Sequence, residues 1–169
     1  MKNLLISLLA VVLFSCTTVQ SQIRDMDSVD VYTFTIKKTS TGNSIPIIAS
    51  SQAVNRAFGA PTSSVQEYSE LDDLTYTKWI YSGLTISFDN GQTAYFDFAT
   101  TAFGLVFNNQ VIKVGNDIST LSSLFPGSYA ARADDRIMIE LHANRVMTDA
   151  RIVIVFNQND KITRILLAQ

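Results

Sequence analysis

The sequence predicts an α+β fold: an antiparallel sheet with short helices on one face, made of two tandem helix-plus-strands units. Three observations predict it. Apolar residues alternate in short runs separated by turn residues, which is the period of half-buried strands. Two short stretches near residues 50–58 and 117–125 instead carry apolar residues at helical spacing, and each ends at glycine and proline. Both features recur 67 to 68 positions apart, as a repeated unit requires.

The chain has 169 residues, and its start reads as an export signal rather than as part of the fold. Lys2 supplies a positive charge, and residues 4–14 (LLISLLAVVLF) are apolar but for one Ser. Such a run is too short to span a bilayer, which takes ~20 apolar residues. It ends in Leu13-Phe14-Ser15-Cys16, a small residue before a cysteine. This resembles the lipobox of bacterial lipoproteins, and the resemblance implies cleavage after residue 15 and a lipid on Cys16. The alternative is an ordinary cleaved signal with a chance cysteine. Residues 16–28 are polar with little pattern and read as a lipidated tether. The folded domain is expected over 29–169, in units of about 29–100 and 101–169.

Within the first unit Tyr32, Phe34 and Ile36 alternate with polar residues, and Gly42-Asn43 centres a turn. Ser50 is placed to cap a helix whose apolar face is Val54, Ala57 and Phe58, closed by Gly59-Ala60-Pro61. Residues 67–73 (EYSELDD) read as an acidic loop. Then Ile80, Leu84, Ile86 and Phe88 share one parity, and Trp79, Tyr81, Thr85 and Ser87 the other. Read as one strand, the first set faces the core and the second faces out. Asp89-Asn90-Gly91 is read as a three-residue loop that pairs Phe88 with Gln92, Ile86 with Ala94 and Leu84 with Phe96.

In the second unit Phe103, Leu105 and Phe107 alternate into Asn108-Asn109. Asp117 caps a helix with Ile118, Leu121, Leu124 and Phe125 on its apolar face, closed by Pro126-Gly127. Ile137, Ile139 and Leu141 alternate, and residues 151–156 and 161–167 form a hairpin. Ser50, Val54, Ala57 and Phe58 precede Asp117, Leu121, Leu124 and Phe125 by 67 positions, and Leu84, Ile86 and Phe88 precede Ile152, Ile154 and Phe156 by 68.

A helix closed by glycine and proline, followed by antiparallel strands, with the unit repeated, resembles the tandem-repeat fold of the β-lactamase-inhibitor-protein family. With the lipobox in front, it is also similar to the related small lipoprotein of the outer-membrane β-barrel assembly machinery. The resemblance covers residue 31 to the end. It implies a curved sheet with helices on one face and the other face free to bind protein.

Chemistry is sparse. Cys16 is the sole cysteine, so the domain has no disulfide, thiol nucleophile or Cys-ligated metal, and neither metal nor cofactor is expected. Without Lys2, 12 basic residues stand against 15 acidic ones, a mixed and mildly acidic balance that argues against nucleic acid as a partner. His142, the one histidine, lies on the opposite parity to Ile137, Ile139 and Leu141 and is expected to point off the core, without an identifiable nucleophile beside it. Trp79, Tyr81 and Tyr95 are expected to share the outward face. Two readings of that face stand open: a binding surface, since Trp and Tyr bury area yet keep a polar handle, or a surface covered by a second layer. The expected function is a non-enzymatic, lipid-anchored module of the cell envelope that binds a protein partner through Trp79, Tyr81, Tyr95 and His142. Thr17 after the cysteine, rather than Asp, points by analogy to the outer membrane. The alternatives are an envelope hydrolase using carboxylates and a mainly structural lipoprotein.

Overall fold

The computed structural model of the chain describes residues 25–71 and 73–168. The signal, Cys16 and most of the tether lie outside the described residues. Strand makes up 53% of the structure and helix 14%, so the architecture is mostly β. The strands are β1 (Ser28–Asp30), β2 (Thr35–Lys38), β3 (Ser44–Pro46), β4 (Ser63–Ser69), β5 (Leu74–Tyr81), β6 (Leu84–Asp89), β7 (Gln92–Phe98), β8 (Phe103–Phe107), β9 (Gln110–Ile112), β10 (Arg136–Ala143), β11 (Val146–Phe156) and β12 (Ile162–Ala168). Helix α1 is Ser51–Phe58 and α2 is Pro126–Ala130, with single 3-10 turns at Val31–Thr33 and Ile118–Leu121.

The strands form two sheets. The larger runs β1-β10-β11-β12-β7-β6-β5-β4 and the smaller β3-β2-β8-β9. One face of each supplies the core: Leu84, Ile86, Phe96, Ile139, Ile152 and Ile165 from the large sheet, Ile36, Ile45, Phe103 and Leu105 from the small one, all buried. The layer over the large sheet is therefore a second sheet with short helical pieces, where helices alone were expected. Ile36 of β2 and Phe103, Leu105 and Phe107 of β8 are the buried residues that face the large sheet.

Four local expectations are corrected. The stretch after Asp117 is two pieces. Asp117 caps a single 3-10 turn by accepting from the Ser119 N–H, and Pro126, expected to close a helix, opens α2 at its first position. Proline suits that position because the first helical N–H has no partner to lose. The acidic loop at 67–73 is narrower than expected, since residues through Ser69 belong to β4 and pair with β5. The tether ends sooner than residue 28. Asp27 Oδ2 accepts from the Ser128 N–H and the Asp27 N–H donates to Ser128 Oγ, both on α2. The turn at Asn90-Gly91 has two residues, both with positive φ, and pairs Phe88 with Thr93. Ala94 then bulges, so Ser87 meets Tyr95 and Ile86 meets Phe96. The bulge keeps Phe88, Ile86 and Phe96 on one face, which the two-residue turn alone would not do.

The two halves carry the same devices. In the small sheet β2 pairs antiparallel with β8, Ile36 opposite Leu105. In the large sheet β7 pairs antiparallel with β12, Asp97 opposite Leu166. Strand order is symmetric outward from both junctions except at the outer strands of the large sheet, where β1 runs parallel to β10 and β4 antiparallel to β5. Ser50, the cap of α1, bridges Gln92 at the start of β7, and Asp117 bridges Lys161 just before β12. The Ser51 N–H donates to Gly91 O and the Ile118 N–H to Asp160 O. Even the bulge recurs, between Ser87 and Phe88 and between Val155 and Phe156.

Candidate functional site

The large sheet has an open face. Across it the side chains of Glu67, Lys78, Asp97 and Arg164 keep between 31% and 53% of their area exposed. One row of directly opposed residues crosses seven strands: Ser63, Ile80, Thr85, Asp97, Leu166, Val153 and Met138. The next row begins Val65, Lys78, Ser87 and Tyr95. Polar residues gather toward β4 to β7 and partly buried aliphatic ones, Leu166, Val153 and Met138, toward β12 to β10, as on a wetted surface that keeps some apolar grip.

Near the middle these rows form a groove of about 290 Å³, with Lys78, Thr85, Ser87, Tyr95, Asp97, Leu166 and Ala168 around it. Its charges are held in place. Lys78 Nζ lies 2.8 Å from Glu67 Oε2. Arg164 grips Asp97 with two hydrogen bonds of 2.9 and 2.5 Å, the bidentate fork that fixes both side chains. Tyr95 meets Tyr76 edge-on, ring centroids 5.2 Å apart and hydroxyls 3.5 Å apart. Tyr76 is buried although it sits on the open face, with Glu67 of β4 opposite it and the Tyr95 ring packed against it. The sequence reading passed Tyr76 by. Its signal was parity with Lys78 and Ile80 on one strand.

The residues singled out in the sequence part company. Tyr95 lies on the open face and lines the groove. His142 also lies on that face, since Ile137, Ile139 and Leu141 of the same strand are buried on the other. It stands away from the groove, at the far side of the sheet beside β1, with Nδ1 buried, without a hydrogen-bond partner among the described residues and 3.9 Å from Asp30 Oδ2.

Trp79 and Tyr81 face the core, contrary to expectation. Their ladder partners are Ile86 and Leu84, both buried. The reason is the two-residue turn at Ser82-Gly83. Reading 78–88 as one strand keeps even residues together, but a hairpin that pairs Tyr81 with Leu84 puts odd residues of β5 beside even residues of β6. Ile80, assigned to the core, is accordingly 36% exposed, and Tyr81 only 8%. Trp79 packs edge-on against Phe88, centroids 4.9 Å apart. The Tyr81 hydroxyl donates to Gly59 O at the end of α1, at 3.1 Å.

The groove thus offers hydroxyls, one ammonium, one carboxylate and aliphatic contact on a rigid surface. Among the described residues no group of three or more His, Asp or Glu side chains could hold a metal ion. No helix among the described residues is long and apolar enough to cross a membrane. Comparison with protein families, with curated proteins and with solved structures gave no match.

Proposed function

We propose that this chain is a lipid-anchored protein of the bacterial cell envelope that holds a protein partner on the open face of its large sheet and catalyses no reaction. The observation that carries the reading is the groove bounded by Tyr95, Lys78 and Leu166 on an uncovered face. Tyrosine and aliphatic side chains supply desolvated contact area, and the flanking ion pairs supply a polar rim. The lipid on Cys16 and an outer-membrane location belong to the same reading and rest on the lipobox. So does a tandem of two α+β units descended from one duplicated unit. The matching bridges Ser50–Gln92 and Asp117–Lys161 support that origin.

A photo-crosslinking residue at position 95, in living cells, tests the binding face. It is expected to yield a defined protein adduct that the same residue at Val111, on the small sheet, does not. No adduct at 95, or the same adduct from both positions, refutes the reading. Loss of acyl labelling in Cys16→Ser tests the anchor.

A further inference from the structure

The two sheets have four edges, and three are guarded. β1 and β9 are three residues long, and β3 is three residues long with Pro46 in it. Short strands and edge prolines are the usual means of refusing a further strand. β4 differs in length. It has seven residues, pairs with β5 in seven uninterrupted steps, and contains no proline, lysine or arginine. All of its residues but Ser69 are exposed. Its one charge, Glu67, is engaged by Lys78 of β5. Among the described residues no strand pairs with its outer side.

We propose that β4 is a self-association edge, on which β4 of a second copy of this chain adds antiparallel about a two-fold axis through Gln66. The register is self-complementary. It sets Ser63 opposite Ser69, Ser64 opposite Tyr68 and Val65 opposite Glu67, with Gln66 facing its own counterpart. No like charges face each other directly, and Glu67 of each copy stands in one row with Val65 and Lys78 of the other. The chain already joins its own halves in this way, at β2 with β8 and β7 with β12. The product is a continuous sixteen-stranded sheet. An axis normal to the sheet keeps both open faces on one side and doubles the surface offered to a partner. The pairing does not depend on what that surface binds.

One strand pair is a small interface, below the ~1,200 Å² of stable complexes, so the dimer is concentration-dependent. Sedimentation equilibrium of the full chain in detergent is expected to show a monomer–dimer equilibrium. Gln66→Lys and Gln66→Glu each set like charges against each other at the axis. Each alone is expected to weaken the dimer at least tenfold with the thermal melt unchanged, and their equimolar mixture to restore it. Tyr95→Ala is expected to leave the dimer intact, which separates this test from that of the binding face. A wild-type chain that stays monomeric, a dimer indifferent to both charges, or a mixture that fails to recover overturns the proposal.

Discussion

The ring of Phe58 meets that of Phe103 edge-on, centroids 5.3 Å apart, although the two residues belong to different halves of the chain. Phe125 packs over Phe34 in the reverse sense, centroids 6.2 Å apart. Exchanging Ile36 with Leu105 across the β2–β8 pair exchanges Phe34 with Phe103, so equivalent positions meet twice, edge-on in one case and stacked in the other. Phe58 and Phe125 therefore each reach a phenylalanine of the other half.

Truncation of either helical phenylalanine follows from that seating. Phe58→Ala and Phe125→Ala, both at buried sites, are each expected to cost ~3–5 kcal/mol in denaturant unfolding. Residues 25–100 alone are expected not to fold, because β2 and β7 each lose one of their two partner strands, β8 and β12. A cooperative melt from that fragment would contradict this.

Gly83 is the position where the first half is most sensitive to a single methyl group. Its φ is +88°, and a Cβ there would run into the Thr100 side chain. Gly83→Ala is expected to destabilise by ~1 kcal/mol or more from the backbone alone, with the steric clash added. Thr100→Ala in the same chain is expected to recover the steric part only, measured as a double-mutant cycle.

Tyr81 makes the fold sensitive to alkali. Burial raises its hydroxyl from 10.0 to about 12. The unfolded chain ionises it first, so its contribution to stability is complete below pH 10 and is lost as pH rises through about 12. Thermal melts across that range are expected to fall more steeply for wild type than for Tyr81→Phe.

Trp79 and Tyr95 are expected to separate stability from binding. Trp79→Ala removes a ring packed on Phe88 and is expected to cost ~2 kcal/mol or more. Tyr95→Ala is expected to cost ~1 kcal/mol, since the ring is half exposed, while weakening capture of the envelope partner at least tenfold. Equal destabilisation by both would place Tyr95 in the core as well.

Much of the fold was legible because local chemistry and burial agree along most of the chain. The alternations at 84–88, 103–107 and 137–141 each report one buried face. The caps Ser50 and Asp117 report themselves through short side-chain bonds to nearby N–H groups. The site was half legible. Tyr95 falls on the open face because it keeps parity with Asp97 beyond the bulge at Ala94, and His142 because Ile137, Ile139 and Leu141 of its strand are buried on the other face, whereas Trp79 and Tyr81 face the core.

By itself the sequence determined the alternation at 84–88, 103–107 and 137–141 and the capping by Ser50 and Asp117, because these depend on neighbours a few residues apart. Tertiary structure decided the rest. Ser82-Gly83 is a turn dipeptide, and Gly83 has positive φ, but that it reverses the chain with Tyr81 opposite Leu84 is decided by the pairing of β5 with β6. That one turn inverts the parity of β5 and sends Trp79 inward and Ile80 outward. The second sheet over the core is likewise a matter of long-range pairing, since β2 meets β8 only when residues 69 positions apart come together.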